Sequence, residues 1–387
     1  MSSDIIPLSV PNLQGNELKY VQETIQQEWV STAGTFISDF ERELAGYVGT
    51  QGAVAVQNGT SGLHTALEVL GVEKNDEVIV PTMTFIAAVN PVSYCDAHPI
   101  FMDCDDTFGL DAVKLQRFLD NECYMESGQV YNMRTGRPIK AIVVVHIFGN
   151  MSNMPSIMEI ADNYNISVIE DATEALGTYY TSGGFKGAFA GTIGTIGVYS
   201  FNGNKIMTTG GGGMIVSDQS SILERARYLT TQAKNDGLYY THDEVGYNYR
   251  MTNVQAALGL AQLEQIEKFI HTKRENFNKY LEKLNNLPDV HLLPFNDQTR
   301  PNYWFYPLWI GEENREDFIE FANNRSVQTR PVWSLIHEQK PYQKAQTYQI
   351  EQAFKYQRNI VNIPCSTNLT SDQLDKVVDV ITQFVAK

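Results

Sequence analysis

At 387 residues the chain is long enough for two domains, at roughly 100 to 200 residues each. Its 43% hydrophobic and 19% charged residues carry no compositional bias, which excludes fibrous and low-complexity proteins. A formal net charge of −16 repels nucleic acid and anionic membranes, so neither is expected as a partner and any phosphate-bearing ligand must be held locally.

The opening MSSDIIPLSV lacks a basic start followed by an apolar core and a small-residue cleavage site, and no apolar stretch reaches membrane-spanning length. A cytoplasmic protein is therefore expected. Ser38 followed by Glu41 reads as a capping box opening a helix with Phe40, Leu44 and Tyr47 at helical spacing. From there to about residue 220, short apolar, β-branched runs alternate with helix-period segments, as in a mostly parallel sheet covered by helices. Seven strands are expected: 53–56, 77–80, 100–103, 141–146, 167–169, 196–200 and 213–216. Several are apolar on both faces, as buried parallel strands are. Thr252 with Gln255 forms a second capping box. The strand signal then weakens into a Pro- and aromatic-rich stretch from Pro294 to Pro341, and a last helix from Thr370 stripes Leu374, Val377, Val378, Ile381 and Phe384 along one face. The fold class expected is α/β, with a large domain over residues 1–250 and a smaller α+β domain over 251–387. The cysteines, Cys95, Cys104, Cys123 and Cys365, are widely spaced and no CxxC, HExxH or Cys/His cluster accompanies them. Neither a disulfide frame nor a bound metal is expected.

Three segments carry chemistry. In the first, a strand runs through Gln57 and Asn58 into Gly59, Thr60, Ser61 and Gly62 at the start of a helix. Unpaired backbone N–H groups and two hydroxyls there suit a phosphate, and the same residues also suit a tight turn with Thr60 or Ser61 as N-cap. In the second, Val168-Ile169-Glu170-Asp171 delivers acids to the carboxyl end of a strand, the edge at which open α/β sheets bind ligands. Asp171 there can hold a protonated ring nitrogen or cap the following helix. The third segment sets Lys205 in a turn between Ser200 and the glycine run Gly210 to Gly213, placed like a Schiff-base lysine.

Taken in this order, the segments resemble the fold-type I pyridoxal phosphate enzymes, and specifically the DegT/DnrJ/EryC1/StrS sugar aminotransferases. The matching stretches are Asn58-Gly59-Thr60, Pro81 to Phe85, Glu170-Asp171-Ala172, Ser200-Phe201 with Lys205, and Gly246 to Met251. The resemblance implies the aspartate aminotransferase-like fold, with a mostly parallel seven-stranded sheet in the large domain. It implies that Lys205 carries pyridoxal phosphate and that Asp171 pairs with the pyridine nitrogen. It further implies that Gly59, Thr60, Ser61 and Ser200 hold the phosphate, that Phe85 stacks on the ring, and that Asn248 reaches the phosphate in the neighbouring subunit. Arg250 is then the partner for the amino donor's carboxylate. The reaction implied is transamination of a nucleotide-linked 4-keto-6-deoxy sugar at C4, with glutamate as donor, 2-oxoglutarate as its product and a homodimer sharing its sites.

Two departures from the family pattern stand out. Glu174 occupies the position, three residues after the pyridine Asp, where many members carry Gln or His. Gly211 replaces the Glu of a Gly-Glu-Gly-Gly run. Glu174 is expected either to act on the ring hydroxyl or the Schiff base, or to be a solvated helix-start carboxylate. Pro7 to Pro11, Trp29 to Gly34 and Phe101 to Asp105 resemble aminotransferases of legionaminic acid and bacillosamine biosynthesis, which act on a UDP-linked 2-acetamido sugar. The Lys205 and Tyr249 to Asn253 surroundings are shared with GDP-perosamine synthases, the alternative. Relatives that dehydrate sugars typically replace the lysine by histidine, so Lys205 argues against that activity, and a non-catalytic cofactor-binding regulator is the remaining reading. His146 at a strand end and His337 in Trp333 to His337 are candidates for substrate contact, with a structural role open for both. The aromatic run Tyr303 to Tyr306 is expected to be core.

Overall fold

The computed structural model describes residues 5–386, so the first four residues of the opening segment, and Lys387, lie outside it. All seven expected strands form, within two residues of the expected bounds: β1 (Gly52–Val56), β2 (Glu77–Pro81), β3 (His98–Met102), β4 (Ile139–Val145), β5 (Ser167–Asp171), β6 (Ile196–Ser200) and β7 (Gly213–Ser217). They line up as β1-β7-β6-β5-β4-β2-β3, parallel except for β7, which runs antiparallel to both of its neighbours. Four of the later strands form a second sheet. These are β8 (His291–Leu292), β9 (Tyr306–Trp309), β10 (Arg330–Pro331) and β12 (Ile360–Ile363), an antiparallel sheet in the order β8-β9-β12-β10. Between β10 and β12 the chain returns to the large sheet and adds β11 (Gln346–Tyr348) beside β3, making that sheet eight-stranded rather than seven. Three residues of Gln-Thr-Tyr are too short and too polar to show alternation, so this edge strand has no sequence signal.

Helices cover both faces. Those that bear on the site are α1 (Glu17–Gln26), α2 (Thr35–Val48), α3 (Gly59–Val69), α4 (Asn90–Tyr94), α5 (Asn253–Leu263), α6 (Ile266–Leu284) and α7 (Ser371–Val385). The boxes at Thr252 and Thr370 cap α5 and α7 as read from the sequence. Ser38 does not cap α2. The helix starts one turn earlier behind Gly34, and the Ser38 hydroxyl donates to the Thr35 carbonyl. Glu41 is freed from the cap and is buried, accepting from the Ala55 N–H at 2.8 Å and pairing with Arg227 and Arg250. Helix α5 packs on α1 and α2, against the large sheet. One apolar cluster fills the other face of that sheet and runs on without a break into the four-stranded sheet, joining Val56, Leu63 and Val145 to Trp304, Tyr306 and Val361. Among the described residues no helix is long and apolar enough to cross a membrane.

The chain leaves β2 for β3 on one side and then returns past β2 to place β4, β5 and β6 on the other. This reversal leaves a crevice outside the carboxyl ends of β2, β4, β5 and β6, and the four-stranded sheet closes over it.

Candidate active site

A cavity of about 800 Å³ occupies that crevice. Asn58, Gly59 and Thr60 form one wall, Asp171, Thr173 and Glu174 the floor, Ser200, Asn202 and Lys205 the second wall, and Arg330 with Trp333 and Ser334 the rim beside the four-stranded sheet. The three sequence segments, spread over almost 150 residues, therefore meet in one place.

The Gly-rich turn resolves in an unexpected way. Asn58, not Thr60 or Ser61, is the N-cap of α3, its side-chain oxygen accepting from the Ser61 N–H at 2.8 Å. The Asn58 N–H donates to Ser61 Oγ at 3.3 Å, completing the capping box, and the buried Ser61 hydroxyl donates to the Asn58 carbonyl at 2.8 Å, so it is not a free phosphate donor. The N–H groups of Gly59 and Thr60 are the first two of the helix and have no intrahelical acceptor. Together with the hydroxyls of Thr60 and Ser200 they supply a positive, donor-rich surface. Gly59 is tightly packed: a Cβ there would stand 3.0 Å from Ser200 Cβ and from Thr173 Cγ2, so a neighbour would have to give way by a few tenths of an ångström. Gly213 is required, since its Cβ would stand 2.7 Å from the Asn58 backbone.

Glu170 and Asp171 project to opposite sides of β5, as successive strand residues do. Glu170 faces away from the cavity and accepts from the N–H groups of Gly191, Ile193 and Gly194 and from His146 Nε2 at 2.8 Å. The Ser152 N–H donates to His146 Nδ1, which fixes the ring with its proton on Nε2, and the side chain is fully buried. His146 is thus a structural anchor, and the expectation of substrate contact is corrected: only its neighbour Val145 reaches the cavity.

Asp171 lines the cavity while being only 3% exposed. The Thr173 N–H donates to its Oδ1 at 3.1 Å. Burial raises its pKa, against smaller opposing effects from Thr173, Lys205 and His146. A buried carboxylate with most of its acceptor capacity facing a cavity calls for a cationic donor from a ligand.

Lys205 Nζ lies 3.6 Å from Glu174 Oε1 and 4.2 Å from the centroid of the Trp304 ring. Glu174 is no solvated helix-start group: it is buried, accepts from the Phe148 N–H at 2.8 Å, and desolvation lifts its pKa to about 7 despite the pull of the Lys205 ammonium. Trp304 belongs to the expected core, yet one face of its indole meets Lys205 and its Nε1–H donates to the Asn204 carbonyl at 2.7 Å. Sequence reading missed this role because a core tryptophan and one bracing a lysine loop have the same spacing. The Gly211 carbonyl accepts from Gln255 Nε2 at 2.6 Å, tying the glycine run to α5. Phe85 is 53% exposed at the mouth, 6.4 Å from the Trp333 ring.

The remaining candidates lie elsewhere. His337 packs between Phe101 and Phe354 with Nδ1 2.6 Å from Thr82 Oγ1, and Trp333 and Ser334 of its segment line the cavity in its place. Arg250 is held by Glu41 at 2.5 Å, outside the cavity of its own chain. Asn248 is exposed on the same segment. Arg330, unremarked in the sequence, is the one arginine on the cavity wall among the described residues.

Comparison with known proteins decides the family. The profile of the DegT/DnrJ/EryC1/StrS aminotransferase family matches residues 11–382. The chain belongs to this family. It is therefore a pyridoxal phosphate-dependent sugar aminotransferase. Among its relatives, GDP-perosamine synthase of Caulobacter vibrioides is 37% identical, with 98% of each chain covered. That of Escherichia coli O157:H7 is 36% identical over the same shares. Among solved structures, Helicobacter pylori PseC, described as an aminotransferase of pseudoaminic acid biosynthesis, superposes with a TM-score of 0.88 over 99% of each chain at 21% identity. This likeness bears out the fold type I architecture.

Proposed function

We propose that the cavity is the cofactor and sugar site of a C4 aminotransferase acting on a nucleotide-linked 4-keto-6-deoxyhexose, with glutamate as amino donor. The observation that carries this reading is the convergence of Asp171, Lys205 and the free N–H groups of α3 on one crevice. The donor set fits pyridoxal phosphate. The N–H groups of Gly59 and Thr60 and the hydroxyls of Thr60 and Ser200 would take its phosphate, Asp171 its ring nitrogen, and Phe85 one ring face. When bound, the cofactor supplies an electrophilic carbon for the amine and an electron-poor ring that accepts an electron pair.

The chain's own residues supply the rest. Asp171, buried and lining the cavity, keeps a ring nitrogen protonated by forming a charge-assisted hydrogen bond with it. Lys205, once its amine is free, moves the substrate proton as general base and then as general acid. Glu174, 3.6 Å from Nζ and with its pKa close to neutrality, can take or return a proton at that amine. Trp304 limits where Nζ can swing. Asn248 and Arg250, absent from their own chain's cavity, are assigned to the site of a second copy, Arg250 to the carboxylate of the donor.

For the sugar, relatives named GDP-perosamine synthase, 33% to 37% identical, favour a GDP-linked substrate without the acetamido group. The alternative is the UDP-linked 2-acetamido sugar suggested by the N-terminal segments. A panel of purified keto sugar nucleotides offered to the aminated form of the holoenzyme separates them by relative kcat/KM, with return of the yellow absorbance as readout. Failure of all nucleotide-linked sugars alongside turnover of a simple keto acid would reject the reading.

A further inference from the structure

One turn beyond Thr60 on the same face of α3 stands His64, and a turn further on stands Glu68. Cys95, the C-cap of α4, packs against both. One ligand atom from each of the three lies within 4.8 Å of the other two. No sequence motif announces the group, since Cys95 is 27 residues from Glu68 and only the packing of α3 on α4 unites them.

The histidine is the unusual member. It is 4% exposed, and its Nε2 is buried with no hydrogen-bond partner among the described residues. Nδ1 is 3.2 Å from the hydroxyl of Tyr249, an oxygen that can accept the Nδ1 proton. The Nε2 lone pair is then left 3.6 Å from Glu68 Oε1, too far for a hydrogen bond. A buried lone pair facing a carboxylate is unfavourable unless a cation lies between them. In the other tautomer Tyr249 donates to Nδ1 and the Nε2–H has Glu68 Oε1 beyond hydrogen-bond reach, so Nε2 is left unsatisfied either way.

We infer that His64, Glu68 and Cys95 form a binding site for a zinc-like divalent cation. A nitrogen, an oxygen and a sulfur ligand match a borderline-soft metal, and three protein ligands leave one position for water. Ligand distances of about 2.0 to 2.3 Å put tetrahedral donors roughly 3.3 to 3.8 Å apart, so the cluster needs only small side-chain rotations to close. Tyr249 on Nδ1 is the outer partner that orients a metal-bound imidazole, and the Tyr247 hydroxyl donates to Glu68 Oε1 at 3.2 Å in the same role. Binding takes Cys95 as its thiolate and releases the thiol proton. The cation would fasten α3 to α4 and to the segment carrying Asn248 and Arg250.

The test is titration of the cofactor-loaded enzyme with Co²⁺, read in the long-wavelength visible bands of a tetrahedral thiolate site, beyond the absorbance of the cofactor. Expected are bands saturating at about one equivalent per chain and abolished by Zn²⁺. Cys95→Ser should lose the bands, and Glu68→Gln should weaken Zn²⁺ binding by more than about tenfold in equilibrium dialysis. Should Cys95→Ser fail to retain its cofactor, Glu68→Gln, altered at a partly exposed position, decides alone. Absence of the bands in the unaltered enzyme, or Zn²⁺ affinity unchanged in Glu68→Gln, overturns the site.

Discussion

Replacing Glu174 by Gln tests the electrostatics of the cavity directly. In the folded chain burial holds this carboxyl at a pKa of about 7, against a usual 4.5. Because the folded pKa is raised, the unfolded chain gives up its proton first as pH increases. Stability therefore falls between pH 4.5 and 7 and levels off above. The displacement of about 2.5 units corresponds to roughly 3 kcal/mol in all, at about 1.4 kcal/mol per unit. About 2 kcal/mol of it falls between pH 5.5 and 8, clear of the isoelectric point near 4.9. Glutamine keeps an oxygen for the Phe148 N–H and does not titrate. The stability of Glu174→Gln relative to the parent should thus rise by about 2 kcal/mol across that range, whatever constant offset the substitution adds. Urea unfolding of both cofactor-free proteins at several pH values measures the difference. A difference that stays flat, or falls with pH, would show that Glu174 is ionised and matched inside the cavity, and would remove it as a proton-exchanging partner of Lys205.

Lys205→Ala should abolish the yellow absorbance and the borohydride-fixed cofactor; an adduct surviving on another lysine would reject the assignment. Asp171→Asn keeps the shape but removes the charge partner of a buried ring nitrogen, so cofactor should bind while the half-reaction with glutamate slows by several orders of magnitude, the scale of roughly 3 to 5 kcal/mol; near-normal turnover would show another residue holding the nitrogen. Gly59→Ala places a Cβ 3.0 Å from Ser200 and Thr173, neither the end of a flexible chain, and should lower cofactor affinity by about 1 to 3 kcal/mol in a dialysis assay; unchanged affinity would mean that α3 can shift without moving its N–H groups. Mixing Lys205→Ala with an Asn248→Ala/Arg250→Ala double mutant should restore about one quarter of parental activity if sites are shared across a dimer, and nothing if each residue serves its own chain.

The parallel strands were legible because β-branched runs bounded by turns have few other uses in a chain of this composition. Residues whose roles depend on direction were not legible. Glu170 and Asp171 are adjacent acids, and only the pleat decides that one anchors residues 191–194 while the other faces the cavity. His146 sits at the right strand end, yet its ring points into that same anchor. Ser61 and Thr60 are chemically alike, and the capping of α3 consumes one hydroxyl and spares the other. In each case the residue type was correctly read as polar and important, and the side on which it falls followed from backbone geometry.

The placement of Lys205 joins these elements. Its ammonium lies between a carboxylate delivered by the loop after β5 and an indole delivered from the strand-rich C-terminal region. Trp304 reaches that position with help from a buried lysine: Lys273 of α6 donates to the Trp304 carbonyl at 2.9 Å and to the Cys365 carbonyl at 2.6 Å. The indole then binds the Asn204 carbonyl, one residue before the lysine itself. The Lys205 amine is thus located by both sheets at once, through a chain of contacts running from α6 to Trp304 to Asn204. A change in how the four-stranded sheet sits on the large one would move the brace as well as the cavity rim. The position of Lys205 and the packing of the four-stranded sheet on the large one are therefore coupled at this tryptophan, through Lys273 of α6.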